Sequence, residues 1–223
     1  MKKYYFMAIL FCLCLSSCIN IGPNKANNTE GEVEEETMTV DASQDDEVID
    51  SNTHLKFKGI PIDGTLKEFV SRMKRKGGFE SIGFENGTAI LKGDFAAYKE
   101  CTIYVSTLDN KDLVSRISVV FPNQETWEYL YGDYMNLKKL LTEKYGAPSS
   151  VTEQFQDKYI DDDTDRIHAV KMDRCKYESR FTTEKGEIVL WIEHERVMSC
   201  FVVLAYKDKI NSNIIKEIAK DDL

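Results

Sequence analysis

The spacing of apolar and polar positions divides the chain into three stretches. Residues 4–15 form a short apolar run behind Lys2 and Lys3. From Ile19 to about residue 52, large apolar residues are sparse, and Asn, Gly, Ser and carboxylates fill the sequence. From residue 53 to residue 223 the apolar positions return with two periods, the marks of helix and strand.

In the third stretch, Thr65 and Glu68 stand at capping-box spacing. Leu66, Phe69, Val70 and Met73 then follow on one helical face, and Gly77-Gly78 ends the helix. Asn86-Gly87, between Ile82-Gly83-Phe84 and Ala89-Ile90-Leu91, predicts a two-residue hairpin turn. Cys101, Ile103 and Val105 alternate with Thr102, Tyr104 and Ser106, and residues 113–121 form the next strand through a turn at Asp109-Asn110. After Pro122 the pattern restarts. Trp127, Leu130, Tyr131, Tyr134, Leu137, Leu141 and Tyr145 hold one face of a longer helix that Gly146 and Pro148 end. Strands are predicted near 151–155, 176–183, 187–193 and 197–206, with turns at Lys185-Gly186 and His194-Glu195. Ile210, Ile214 and Ile218 mark a closing helix.

This order predicts an α+β fold. It reads as two tandem units, about 57–121 and 122–223, each a helix plus a four-stranded antiparallel sheet, followed by a C-terminal helix. Cys101 and Cys175 begin strands at similar distances from their hairpin ends, which aligns the two halves. The arrangement resembles the beta-lactamase-inhibitor-protein-like fold and the small helix-and-sheet lipoproteins of outer-membrane assembly. The phrases Phe57-Lys58-Gly59-Ile60-Pro61-Ile62-Asp63-Gly64-Thr65 and Leu141-Thr142-Glu143-Lys144-Tyr145-Gly146-Ala147-Pro148 look like those of small uncharacterised lipoproteins from gut Gram-negative bacteria. These likenesses imply architecture and bring no functional residues.

Composition changes the picture mainly through charge. The chain has 223 residues, 42% hydrophobic and 30% charged, which suits one globular domain. Its net charge of -9 is concentrated between Glu30 and Asp50, where ten carboxylates occur with no Lys or Arg. Such a segment buries too little surface to offset its ordering entropy. A solvated, self-repelling tether is expected there, with a cation- or partner-binding tail as the competing reading. The remainder is close to neutral and lacks the basic footprint that nucleic acid requires, so no nucleic acid is expected.

The first apolar run is too short to span a bilayer comfortably and has the length of a signal-peptide core. It ends in Leu15-Ser16-Ser17-Cys18, which resembles the lipobox of bacterial lipoproteins. The resemblance implies cleavage before Cys18, a diacylglycerol thioether on Cys18 and an acylated N-terminus. An ordinary secretory signal with an accidental cysteine is the alternative. The expected organisation is a signal peptide at 1–17, a lipidated cysteine and disordered acidic tether at 18–52, and a globular domain at 53–223. The implied address is the cell envelope, at the outer membrane of a Gram-negative bacterium.

Candidate chemistry is thin. Cys101, Cys175 and Cys200 fall in the domain. In a three-strand meander Cys175 and Cys200 stand two strand spacings apart, about 9.5 Å, beyond disulfide reach. A Cys101–Cys175 bridge would require the halves to lie side by side, so buried small hydrophobes are expected. His54 borders the tether, His168 follows an acidic loop, and His194 falls at a hairpin tip between Glu193 and Glu195. A Cys–His nucleophile pair is therefore not expected. Neither G-x-S-x-G nor H-E-x-x-H occurs. Asp161-Asp162-Asp163-Thr164-Asp165 begins like an EF-hand loop, but Arg166 and Met172 break the match, leaving an exposed acidic loop. Trp127, Tyr131, Tyr134 and Tyr145 stand at helical spacing, which suits core better than a carbohydrate platform.

No catalytic, cofactor or metal residue emerges from these patterns. The expectation is a lipid-anchored, non-catalytic binding or accessory domain for another envelope protein. Tyr104, Trp191 and Tyr206 are its candidate partner surface, on the sheet face turned from the helices. An envelope hydrolase with an unfamiliar active site and an enzyme-inhibitor-like module are the alternatives.

Overall fold

A computed structural model describes residues 53–107, 112–156, 162–195 and 199–221. The signal-like run, Cys18, the acidic stretch and the turn at Asp109-Asn110 lie outside the described residues. A small hairpin, β1 (Lys56–Phe57) and β2 (Ile60–Pro61), precedes helix α1 (Leu66–Arg72), which a single π turn continues over Met73–Gly77. Four strands follow: β3 (Glu80–Glu85), β4 (Thr88–Phe95), β5 (Tyr98–Thr107) and β6 (Val114–Val120). Then come α2 (Trp127–Tyr145), β7 (Ser150–Phe155), α3 (Asp163–Lys171), β8 (Cys175–Thr183), β9 (Gly186–Glu195), β10 (Ser199–Asp208) and α4 (Lys209–Asp221). Among the described residues no helix is long and apolar enough to cross a membrane.

Local chemistry explains most boundaries. The Thr65 hydroxyl accepts from the Glu68 amide at 3.3 Å, and the Glu68 carboxylate accepts from the Thr65 amide at 3.0 Å. Those bonds start α1 and hold the Glu68 carboxyl below its usual range. Gly78, at φ 70°, ends the π turn in the left-handed region. Asn86 and Gly87 both have positive φ, 46° and 71°, as a tight hairpin turn between β3 and β4 requires.

The acidic run at 162–165 is largely exposed, as its composition suggests, but it starts a helix and is not a loop. Asp162 caps α3 by accepting from the Asp165 amide at 2.8 Å. Asp163 accepts from the amides of Trp127 at 3.1 Å and Glu128 at 2.7 Å, the first residues of α2. Carboxylates at two helix N-termini satisfy orphan amides and oppose the positive ends of the helix dipoles, at about 1 kcal/mol per cap. The same residue types that favour loops thus start two helices.

The eight long strands form one antiparallel sheet in the order β3-β4-β5-β6-β10-β9-β8-β7. Two four-strand meanders meet where β10 pairs with β6, with Leu204 opposite Val119 and Tyr206 opposite Ile117. Cys101 lies in the third strand of the first meander and Cys175 heads the second strand of the other, so the cysteine alignment of the two halves fails. The β1–β2 hairpin and α3 are further departures from the expected element order. The core gathers on one face, where Leu91, Ile103, Val119 and Leu204 meet Phe69 of α1 and Leu130 of α2. Strand β10 is buried on both faces: Val202 and Leu204 look into this core, while Phe201, Val203 and Ala205, at 8%, 0% and 5% exposure, fill the other side. That is why 200–206 reads as a continuous apolar run and not as an alternation.

A buried polar knot closes the sheet at the end of β10. Asp208 is fully buried and accepts from the Leu55 amide at 2.8 Å and the Asn211 amide at 2.9 Å, with His54 Nδ1 3.1 Å away. The Asn211 side chain donates to the carbonyls of Val114 at 2.7 Å and Ile62 at 3.1 Å. The knot joins the entry to the domain, β6, β10 and α4. Replacing Asp208 by Ala strands three buried donors or partners, each loss worth about 1–3 kcal/mol. Urea unfolding of Asp208→Ala should show a stability loss of roughly 3 kcal/mol or more. A change under about 1 kcal/mol would remove the knot as a determinant of stability.

Candidate functional site

The surface expected to receive a partner is the second face of the sheet. Cross-strand register puts Ile90, Tyr104, Ser118, Ala205 and Val189 on one row of that face. Thr102, Val120, Val203, Trp191 and Glu178 form the next row. Tyr104 and Trp191 stand on β5 and β9, three strand spacings or roughly 14 Å apart. Both are half-buried. Between them, Val203 and Ser118 are buried, at 0% and 3% exposure. Trp191 donates its indole N–H to Glu193 at 3.2 Å. Burial raises the Tyr104 phenol, and the Glu195 carboxylate adds to the shift.

Tyr206 does not belong to this face. It is opposite Ile117 and Ile188 in register, so it points into the core with the even-numbered positions of β10. It is 5% exposed and meets Phe57 edge-on with ring centroids 5.3 Å apart. Burial strongly raises its phenol, which is bonded to Tyr145. In the continuous run 200–206 the alternation that would have assigned its face is hidden, because both faces are apolar.

Of the helical aromatics Trp127 and Tyr134 are core, Tyr145 is half-buried and Tyr131 is exposed. Tyr134 is fully buried and its hydroxyl bonds Ser179 at 2.7 Å and Glu153 at 3.1 Å. Trp127 meets Phe155 and Tyr177, each at 5.0 Å between centroids. Tyr131, 37% exposed, lies at the rim of that cluster and stacks on Trp127.

The cysteines are unbridged. Cys101 and Cys200 are fully buried and Cys175 is half-buried. Burial pushes the Cys101 thiol up to about 11 and the Cys175 thiol up to about 12, and raises Cys200 as well. A thiol in that state is a poor nucleophile at neutral pH, since the thiolate is the reactive form. His194 does not sit at a hairpin tip. It belongs to β9, opposite Cys200 in register, with Nε2 3.4 Å from the Asp173 carboxylate. This brings a cysteine, a histidine and an aspartate into one neighbourhood, but Cys200 has no exposed surface for a substrate to reach. His168 is exposed on α3 and His54 belongs to the Asp208 knot. Among the described residues no group of three His, Cys, Asp or Glu side chains gathers at metal-binding distance.

A shallow polar hollow of about 220 Å³ opens between Thr182, Glu187, Lys207, Lys209 and Lys216. It falls below the 300–1,000 Å³ usual for a small-molecule site. Two features escaped the sequence patterns. The Asp208 knot had a faint signal, the Asp-x-x-Asn cap spacing of Asp208 and Asn211. The second feature is the exposure of Ile82 and Phe84, 58% and 68%, on the edge strand β3. No protein-family model, curated protein or solved structure matches the chain.

The raised acids have a consequence for stability. Cys101, Cys175, Tyr98 and Tyr177, at about 11, 12, 12 and 12, hold their protons in the folded state mainly because of burial. In the unfolded chain thiols and phenols lose them near about 8.5 and 10. Between these limits the unfolded chain binds fewer protons, so stability falls as pH rises. The contribution is intact below about pH 8.5 and is lost progressively toward pH 12. Denaturant midpoints should therefore fall between pH 8 and pH 10.5. A flat profile over that interval would show that these groups ionise freely in the fold.

Proposed function

We propose that the chain is a lipid-anchored protein of the cell envelope whose domain binds a partner protein and performs no catalysis. Lys2 and Lys3, the short apolar run and Leu15-Ser16-Ser17-Cys18 support an anchor on Cys18. A Gram-negative outer membrane is the address that the lipoprotein resemblance favours. Several acyl chains hold firmly where one would not, because each buried methylene adds about 0.8 kcal/mol. The acidic stretch then acts as a solvated spacer between lipid and domain.

The observation that carries the binding half is the pair Tyr104 and Trp191, half-buried on the face opposite the core cluster with the buried Val203 between them. Aromatics of this kind supply large, rigid contact area to a partner. The meander order supports descent from a duplicated helix-plus-four-strand unit, with β6 and β10 as corresponding last strands. That symmetry is also what the likeness to the beta-lactamase-inhibitor-protein-like fold rests on. A hydrolase reading would need an accessible reactive group, and the protonated, buried thiols give it no support.

The anchor is tested at Cys18. Mass spectrometry of the mature wild-type N-terminus should find a lipidated cysteine, and Cys18→Ala should move the protein to the aqueous phase in detergent partitioning. An unmodified wild-type N-terminus would overturn the lipoprotein reading.

The sheet face is tested at Trp191. Trp191→Ala should weaken capture of the partner from solubilised envelope at least tenfold while lowering stability by less than about 2 kcal/mol. A loss of about 3–5 kcal/mol would class Trp191 as a core residue instead. Undiminished capture by the folded variant would exclude this face.

A further inference from the structure

The sheet ends beside α1 in a bare apolar pair. Ile82 and Phe84 lie on the edge strand β3, exposed by 58% and 68%. Phe84 stands opposite the buried Ala89, which puts it on the helix side of the sheet. Glu80 and Glu85 stand opposite Lys92 and Thr88 and share the other side. Helix α1 lies over β4 and β5, so the helix side of β3 is left uncovered by it.

Cations border this pair. On α1, Arg72 bonds the Asp63 carbonyl and Glu68 reaches Thr65, which turns that flank toward the start of the helix and β6. Helical periodicity puts Lys67 on the opposite flank, and Lys74 lies in the π turn that continues the helix. Arg75 and Lys76 continue in the π turn. All four are exposed, and among the described residues none is held in an ion pair.

We infer that this patch docks on an anionic phospholipid surface. The inference deepens the envelope-anchored reading and rests on it for a membrane close at hand. An exposed Phe84 bordered by Lys and Arg, with Glu80 and Glu85 turned to the other side of the sheet, has the chemistry of an interfacial contact. Each cation near an anionic lipid surface adds about fivefold in affinity. A second copy of the chain fits the patch less well. Antiparallel self-pairing of β3 would set Glu80 against Glu85 twice, and the register shift between Ser81 and Gly83 interrupts the ladder. Two side chains also fall far short of the roughly 800 Å² per partner of a stable interface. Weak lipid affinity is enough here, because a tethered domain meets its own membrane at an effective concentration in about the millimolar range.

The test uses the chain from residue 18 onward with Cys18→Ala, which has neither the apolar leader nor the lipidation thiol. Vesicles of phosphatidylcholine alone and of phosphatidylcholine with phosphatidylglycerol are sedimented with it at low salt. Binding should appear on the phosphatidylglycerol vesicles only and should fade as salt is raised. Lys74→Ser with Arg75→Ser should weaken it roughly 25-fold, and Phe84→Ser roughly tenfold. Circular dichroism of each variant checks folding, which these exposed positions should leave intact. No binding to the phosphatidylglycerol vesicles, equal binding to both vesicle types, or binding that both folded variants retain would overturn the inference. Failure here leaves the anchor reading standing, since Cys18 is absent from the assay. An unlipidated wild-type N-terminus would leave the vesicle result standing in turn.

Discussion

Strand β10 is paired on both sides and buried on both faces, and its pairing with β6 is what makes the two meanders one sheet. Five register pairs, from Val203–Val120 to Lys207–Arg116, form this seam. Hydrogen bonds of the seam run between segments far apart in the chain, so loop closure must come before they repay it. The Asp208 knot lies at one end of the seam. Its carboxylate joins the first described turn of the domain to the start of α4, and Asn211 extends the connection to the first residue of β6. Apolar contacts would permit small slips along the seam. A buried carboxylate with three partners tolerates none, because any shift leaves it desolvated and unpaired.

Much of the fold was legible because single residues impose strong local geometry. Thr65 with Glu68, Asn86-Gly87 and Gly77-Gly78 each fix a backbone conformation whatever surrounds them, and the structure holds each where its type demands. Legibility failed where a residue has two uses. Carboxylates favour loops and also cap helices, and only the approach of α3 to α2 decides that Asp163 serves the latter. Alternation assigned a face to Tyr104 and Trp191, which stand in strands with one polar-leaning side. It could not do so for Tyr206, since β10 has no polar side. The faces of Tyr104 and Trp191 were thus readable in the sequence and that of Tyr206 was not, for the reason that makes β10 central.

Several polar groups of the described domain are taken up by packing. Thiols are held neutral by burial, the histidine at the domain entry is bonded into the knot, and Tyr134 is taken up by Ser179 and Glu153. Groups tuned for catalysis are poised near neutral pH and reachable from solvent. Here the large shifts run toward the neutral form and away from neutral pH, as desolvation alone produces. They record packing.

The domain surface is uneven because the helices cover the two meanders to different extents. Helix α2 runs for 19 residues, roughly 28 Å, and with α3 it covers the second meander as far as Phe155 on the far edge strand. Helix α1 and its π turn total 12 residues before Gly78 turns the chain left-handed. It packs over β4 and β5, and Phe84 on the edge strand β3 stays exposed. A bare, flat edge of this kind invites strand addition. The bulge between Ser81 and Gly83 and the flanking Glu80 and Glu85 oppose it, which blocks backbone pairing while leaving the side chains open. An edge closed to strands but open to side-chain contact is suited to a soft, non-directional counterpart such as a lipid surface, which needs no register.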